Sequence, residues 1–563
     1  MNQVIFLFLR RMRAPLLVLI SAYAIAIFGL VMIPGVDDQG QPWRMDFMHA
    51  FYFASYMATT IGFGEVPYEF TPAQRMWVIF CIYLTVSAWL YAFGKIITLV
   101  QDPSFRQAVT EHAFARSVRN IHEPFYLICG YGDTGSLLVR AMTQRGMRCV
   151  VVDRAIERIN ELEVNDLDIH VPGLCADASQ SLTMKEAGLL SRHCAGVVAL
   201  TDDDHVNLKI AITTKLLHPG IQVICRAEHH DAQDNMASFG TDHIINPYDT
   251  FATRLAMALH SPGTHLLHEW LTAVPGSPLP GPLYPPHGTW VLCGYGRLGK
   301  AIRERLEAAG IPSVIVEANP DATGCEEFCV IGRGTEAETL RAAGVEKAVG
   351  IVAGTDDDAN NLSVVMTAAQ LNPDLFMVAR QNKCDNDDVF QAALLDLVMQ
   401  RSEMIAREII ALLTTPLLNT FLNLIKDRDN DWANEKISRL SAVVGERVPD
   451  SWYLRIDEMH APELHRMLEE GGVFTLGMIM RDYRDCEQNL PAVALMLRRR
   501  QGGILLFPDD TVELHHEDQL LFAGEDGCAE HMRWMLANHN ALHYVYHGRI
   551  AASGWLWRWL RAE

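Results

Sequence analysis

The sequence predicts a membrane α-helical unit of two spans followed by cytosolic α/β Rossmann-like units in tandem and a small α+β C-terminal subdomain. Three observations predict it. Two uncharged apolar runs lie within the first hundred residues, a strand–glycine turn–helix pattern occurs twice further on, and the segments around these patterns repeat one another. At roughly 100–200 residues per domain, 563 residues suggest three or four units. Apolar residues make up 49 % of the chain, and the mean hydropathy of +0.07 is too low for a protein lying wholly in lipid. The membrane part is therefore minor. A net charge of −21 argues against a nucleic-acid binder, which carries a basic footprint. Twelve cysteines without CxxC pairs fit a reducing compartment better than a disulfide framework.

Residues 14–36 hold no ionisable side chain except Tyr23, and residues 76–94 hold no charged one. These runs of 23 and 19 residues match the ~20 that cross a bilayer as helix. The first ends in Pro-Gly and precedes a second span, which excludes a signal peptide. Arg10, Arg11 and Arg13 precede the first span, and Lys95 and Arg106 follow the second. The segment between is acid-biased, with Asp37, Asp38, Asp46, Glu65 and Glu69 against Arg44 and Arg75. By the positive-inside rule this is a multi-pass chain of the cell (inner) membrane with cytoplasmic N- and C-termini.

Between the spans, residues 46–58 form an apolar, aromatic piece too short to cross, suited to a re-entrant helix. Thr59-Thr60-Ile61-Gly62-Phe63-Gly64-Glu65 follows at once. Alternating glycines let a backbone run with its carbonyls on one side, and such backbone at membrane depth must line an enclosed path. The stretch resembles the potassium-channel signature T-V-G-Y-G. That resemblance implies a selectivity filter of Thr60, Ile61, Gly62, Phe63 and Gly64, with K+ held by the Thr60 hydroxyl and by carbonyls of Thr60, Ile61, Gly62 and Phe63. The sequence departs by Ile for Val, Phe for Tyr and Glu65 for Asp. Phe63 lacks the hydroxyl that fastens a tyrosine behind the filter. The second span would line the cavity, bending at Gly94 or at Ser87-Ala88.

After a polar connection (101–123), FYLICGYGDTGSLLVRAMTQRGMRCVVVDR reads as strand, glycine turn, helix, strand, with Asp153 closing the second strand. GTWVLCGYGRLGKAIRERLEAAGIPSVIVEA repeats it, with Glu317 in the acidic place. ALTDDDHVNLKIA pairs with VAGTDDDANNLSV, VICRAE with MVARQN, and Pro262 aligns with Pro416. A repeat of about 150 residues means tandem domains, not a solenoid. The boundaries read as a pore domain at 1–100, a first unit at 124–274, a Pro/Gly-rich spacer at 275–288 and a second unit at 289–430. A C-terminal subdomain at 431–530 and a tail at 531–563 complete the chain. Each unit resembles an RCK (TrkA-N-like) domain, and with the two-span unit the chain is similar to tandem-RCK prokaryotic potassium channels.

Backbone N–H groups of a glycine turn at a helix N-terminus cradle phosphate, and an acid on the next strand accepts ribose hydroxyls. The first copy thus offers Gly130, Tyr131, Gly132, Asp133, Thr134, Gly135, Asp153, Arg154, Asp177, Thr201, Asp202 and Arg226. The second offers Gly294, Tyr295, Gly296, Arg297, Leu298, Gly299, Glu317, Arg333, Gly334, Thr335, Thr355, Asp356 and Arg380. The acids favour NAD or an adenine nucleotide such as ADP over NADP. Arg297 and Arg333 are expected to face a pyrophosphate, making the second copy the tighter site for an anionic nucleotide. The triplets Asp202–Asp204 and Asp356–Asp358 invite a Ca2+ reading, but helix capping explains them better. His229-His230-Asp231 and His515-His516-Glu517-Asp518 are divalent-site candidates weighed against exposed loop histidines, and no divalent site is assigned. The Trp-rich tail suits either the membrane interface or packing on the cytosolic assembly.

The resemblance implies a ligand-gated potassium channel: passive K+ conduction through a homotetrameric pore in membrane lipid, regulated by nucleotides at a cytosolic gating ring of RCK domains, with divalent-cation (Ca2+) binding to that ring left open. On this reading no enzymatic activity is expected. The alternatives are a nucleotide-sensing regulatory subunit of a potassium transporter and a membrane-tethered NAD-dependent oxidoreductase. The second lacks a substrate domain and a placed proton donor.

Overall fold

The structure, a computed structural model, describes residues 2–65, 67–325, 329–426 and 428–549. The tryptophans of the tail lie outside the described residues. The chain divides into two compact units, Met1–His122 and Glu123–Glu563.

In the first unit, two helices are long and apolar enough to cross a membrane, with apolar stretches Leu9–Met32 and Pro72–Gln101. At 1.5 Å per residue, their 24 and 30 residues run about 36 and 45 Å, more than the ~30 Å hydrocarbon layer. The second begins with Pro72 behind the capping residue Thr71, whose side chain and that of Gln74 satisfy each other's backbone N–H. The two helices meet where Gly29 leaves room for the Trp77 indole, which would stand 2.0 Å from a Cβ there. Trp77 Nε1 donates to Ala26 O at 3.2 Å. Helix Phe47–Ala58, of 12 residues, is too short to span. Its Ala50, Phe53, Ala54 and Tyr56 complete a core with Ala26, Leu30 and Cys81. The connection read from sequence as merely polar is largely the helix Pro103–Arg119.

The second unit holds two six-stranded parallel sheets of one topology. The first runs Gly173–Cys175, Arg148–Asp153, Phe125–Cys129, Cys194–Ala199, Gln222–Arg226, His243–Ile245. The second runs Cys329–Ile331, Ser313–Glu317, Trp290–Cys293, Gly350–Ala353, Phe376–Gln381, Leu397–Gln400. This is the doubly wound order, in which ligands sit where the first and fourth strands diverge.

The copies trade helices. Helix Pro247–His260, from the first repeat, puts Tyr248, Phe251, Leu255 and Leu259 into the second copy's core with Leu298, Ile302 and Leu306. Helix Arg401–Thr414, from the second, puts Ile405, Ile409 and Ile410 into the first copy's core with Leu138 and Met142. A boundary at 274 thus assigns helix Pro247–His260 to the wrong core. Each exchanged helix ends at the aligned prolines, which open helices Pro262–Thr272 and Pro416–Ile425. The Arg401–Ile425 tract is apolar enough to suggest a broken span, yet bends by 115° and is buried in the cores of the second unit.

A four-stranded antiparallel sheet, Asp450–Arg455, Gln519–Gly524, Ala492–Arg498, Ile504–Leu506, forms the C-terminal part. Its core includes Met532, Met535, Leu536, Leu542 and Val545 beside Trp452 and Phe522. The subdomain therefore continues past 530 through helices Cys528–Ala537 and His539–His547, because their apolar faces close its core. The Pro/Gly-rich segment is fastened rather than free. Gly276 N and Leu279 N donate to Val448 O and Glu446 O at 2.9 and 3.2 Å.

Candidate functional site

At the end of helix Phe47–Ala58 the backbone turns at Thr60 and leaves the helix. Thr60, Gly62 and Gly64 have φ of +60°, +68° and +97°, while no positive φ falls on Ile61 or Phe63 between them. Positive φ thus falls on every second residue of the segment. Glycine carries this at two positions without strain, and Thr60 carries it at a cost of order 1–3 kcal/mol. A Cβ on Gly62 or Gly64 would meet nothing within 4 Å, so backbone conformation and not space demands these glycines.

Two contacts hold the segment. The Tyr56 hydroxyl donates to Gly64 O at 2.6 Å, and its ring meets Phe63 edge-on with centroids 5.5 Å apart. Tyr56 thus places a hydroxyl behind the segment that Phe63 cannot supply. Glu65 accepts from Phe70 N at 2.8 Å and from Arg75 Nε and Nη2 at 2.8 and 3.0 Å. That bidentate pair fastens the outer end of the segment to the foot of the second span.

The first Rossmann copy contains a cleft of about 430 Å³. Gly130 (φ +105°) lies against the Leu200 backbone, and a Cβ on Gly135 would stand 2.2 Å from Gly130 O. These two glycines serve packing. Gly132 differs: its Cβ would meet nothing within 4 Å, and it precedes helix Asp133–Gln144 without a side-chain cap. The helix N-terminus therefore opens onto the cleft, a cradle for an anion. Asp153 accepts from Tyr131 N at 2.6 Å and Ala155 N at 2.8 Å. Asp133, Thr134, Arg154, Asp177, Thr201, Asp202 and Arg226 also line the cleft. Asp177 accepts from Ser179 N, and that hydrogen bond holds its carboxyl below the ordinary value. Arg226 is 4 % exposed and keeps a buried Nε without a hydrogen-bond partner. An open helix end, an anchored acid and a guanidinium with one unpartnered N–H fit the phosphate and ribose of a nucleotide.

The second copy repeats the cradle. Gly296 faces open space, and a Cβ on Gly299 would stand 2.1 Å from Gly294 O. Glu317 accepts from Tyr295 N and Asn319 N at 2.7 and 2.8 Å. Leu298 is buried in the strand–helix core. Gly334 (φ +77°) lies against the Cys293 side chain, between exposed Arg333 and half-buried Thr335. Arg380 is 8 % exposed and also has an unpartnered Nε. Burial pulls its pKa below the ordinary guanidinium value. Arg297 departs from expectation. Its Nη1 stands 2.6 Å from Glu228 Oε2 and its guanidinium lies 5.1 Å from the Tyr248 ring, so it is turned to the junction between copies.

Glu228 is the residue that sequence reasoning missed. It is 9 % exposed and pairs with Arg226, with Arg401 at 2.8 Å and with Arg297. Tyr248 Oη also donates to it at 3.2 Å. Burial opposes its charge, but Arg226 foremost, with Arg401 and Arg297, holds its carboxyl down at about 2. Arg401 and Ser402, from the exchanged helix, line the first cleft. The expected charge contrast between copies is therefore smaller than read, since the second copy lends Arg401 to the first and turns Arg297 away. The repeat alignment carried a signal, because Arg226-Ala227-Glu228 faces Arg380-Gln381-Asn382 and only the first has the acid.

Asn207 and Asn361 were also missed, although both copies place Asn at the same register. Each is fully buried. Asn207 accepts from Thr201 N and Thr201 Oγ1 and donates to Thr201 O and Arg226 O. Asn361 does the same for Thr355 and Arg380. The Asp triplets cap helices: Asp203 accepts from His205 N and Asp357 from Asn360 N. Asp202 pairs with Arg226 at 3.0 Å, and Asp356 follows Thr355 at the second helix start. His229 and His516 contact Asp204 and His465. Among the described residues no group of three or more His, Cys, Asp or Glu is placed to hold a metal ion.

A two-span unit with a glycine-alternating segment, joined to two parallel-sheet units with open glycine cradles, is the architecture of a membrane channel with tandem Rossmann-type domains. Residues 15–102 match the ion channel family model, and residues 126–247 and 290–401 each match the TrkA-N domain. The chain is 26 % identical over 206 residues to Potassium channel protein 1 of Methanocaldococcus jannaschii, covering 36 % of this chain and 59 % of that protein. It is 24 % identical over 250 residues to Probable potassium channel protein 2 of the same organism, covering 44 % and 66 %. The chain thus spans about three-fifths to two-thirds of these relatives. The solved GsuK Channel superposes with a TM-score of 0.50 at 15 % identity, over 95 % of this chain and 100 % of that one, a likeness of fold.

Proposed function

We propose that this chain forms a ligand-gated potassium channel, conducting K+ passively through a homotetrameric pore under control of nucleotides bound by its Rossmann copies. The observation that carries the reading is the alternating backbone of Thr60–Gly64. Its carbonyls, with the Thr60 hydroxyl, take the place of a hydration shell only when four copies surround one axis. The potassium channels named among its relatives support the choice of ion. The termini and both Rossmann copies are cytoplasmic in this reading, the pore lying in the cell membrane.

The cradles at Gly132 and Gly296, with Asp153 and Glu317 behind them, take NAD or an adenine nucleotide such as ADP. Divalent regulation by Ca2+ is not part of the reading, because Asp202 pairs with Arg226 and Asp203, Asp204, Asp357 and Asp358 accept backbone N–H groups. A nucleotide gates the pore only through different affinities for its open and closed forms. Purified chain in liposomes tests the reading. Flux of K+ and Rb+ with little Na+, abolished by Gly62→Asp, is expected. Well-reconstituted protein that passes no ion with or without nucleotide would overturn it.

A further inference from the structure

We infer that the two nucleotide clefts of one chain are negatively coupled, and that Glu228 is the coupling residue, because it is shared between two arginines that line the first cleft and Arg297, which opens the helix behind the second cradle. The inference rests on the nucleotide reading of the cradles and adds how one site regulates the other.

On the side of the first cleft, Glu228 holds Arg226 and Arg401, both of which line that cleft. On the side of the second it holds Arg297, the first residue of helix Arg297–Ala308 directly behind the Gly296 cradle. Tyr248 extends this limb. Its hydroxyl donates to Glu228 at 3.2 Å and accepts from Arg380 Nη2 at 3.4 Å. The guanidiniums of Arg297 and Arg380 lie 5.1 and 5.3 Å from its ring. The second copy has Asn382 in place of Glu228. The second copy thus has no counterpart of this shared carboxylate at that position.

The sign follows from burial. A phosphate in the first cleft draws Arg226 and Arg401 toward itself, and Glu228 then depends on Arg297. A phosphate in the second cleft draws Arg297, and Glu228 then depends on Arg226 and Arg401. Either ligand alone leaves the buried carboxylate a cation. Both together leave it only the neutral Tyr248 hydroxyl, and a buried charge without a counter-charge is strongly disfavoured. The second nucleotide must therefore bind more weakly than it would to a chain whose other cleft is empty, and by linkage the effect is reciprocal.

The test uses the full-length chain in detergent micelles, titrated calorimetrically with ADP. Gly132→Val and Gly296→Val each close one cradle, since neither glycine has positive φ and each faces open space. These variants give the affinity of each remaining cleft alone. In the native chain the second equivalent of ADP is expected to bind about tenfold more weakly than its single-cleft value. In Glu228→Gln, and separately in Arg297→Gln in case the first fails to fold, the two-site isotherm becomes the sum of the single-cleft isotherms measured with the same substitution present. A native isotherm that already equals that sum, or a coupling unchanged in both variants, would overturn the inference. Absence of ADP binding in every chain would remove the nucleotide reading itself, a result distinct from independent sites.

Discussion

The hydroxyl of Tyr56 donates to the carbonyl oxygen of Gly64 at 2.6 Å, across eight residues from the short helix to the far end of the glycine-alternating segment. Tyr56 is 5 % exposed and belongs to the core that the short helix shares with both long ones. The segment is thereby anchored to a packed side chain rather than to its own Phe63. Tyr56→Phe keeps the packing and removes one hydrogen bond, worth about 1 kcal/mol. In the proposed channel the K+ preference over Na+ should fall about fivefold, read from reversal potentials under bi-ionic conditions. An unchanged preference would show that the bond does not hold the filter's shape.

The glycines of each fingerprint separate into two kinds. A Cβ on Gly135 would sit 2.2 Å from Gly130 O, whereas one on Gly132 touches nothing within 4 Å. Gly135→Ala should therefore lower the melting temperature by several degrees, because backbone has to move. Gly132→Ala should leave the melting temperature within a degree or two and weaken ADP binding instead. The mirrored pair Gly299 and Gly296 should divide the same way. Equal thermal effects from both members of a pair would contradict this division.

Asn207 ties Thr201 to the carbonyl of Arg226, and Asn361 ties Thr355 to that of Arg380. Replacing either by Ala leaves several buried backbone groups unpaired, at about 1–3 kcal/mol. Loss of nucleotide affinity should accompany the loss of stability, confined to the copy that was changed. Chemical denaturation with single-cleft ADP titrations reads both, and a stability change below ~0.5 kcal/mol would count against the assignment.

Glu228 also sets a pH dependence. Its ordinary value is 4.5, and the folded chain holds it at about 2 because its three arginines outweigh burial. A carboxyl depressed on folding contributes stability that is complete above the unfolded value and is lost as pH falls toward the folded one. Between about pH 4.5 and 2, the native melting temperature should drop more steeply than that of Glu228→Gln. Parallel curves would mean that Glu228 carries no such linkage.

Much of this was legible in the sequence. The spans follow from runs of uncharged residues, the segment from Thr60-Ile61-Gly62-Phe63-Gly64, and the tandem copies from repeated glycine turns and TDDD tracts. These are local signals, set by neighbours along the chain. The exchange of helices Pro247–His260 and Arg401–Thr414 was not legible, because an apolar helix face records that it must be buried but not against which sheet. Arg297 misled for the same reason. Its place beside the glycine turn suggested phosphate, and only the exchanged fold sets Glu228 and Tyr248 beside it.

The sequence by itself determined the kinds of parts and their order: two membrane helices around a glycine-alternating segment, then two Rossmann copies and a small subdomain. Hydropathy, helix capping and glycine conformation are properties of short stretches, so the linear order carries them. Only the tertiary structure decided which side chains share a site. It put Tyr56 behind Gly64, lent Arg401 to the first cleft, and gathered Arg226, Arg297 and Arg401 on one carboxylate. Those residues lie up to 175 positions apart, and their pairing depends on which apolar faces close which cores.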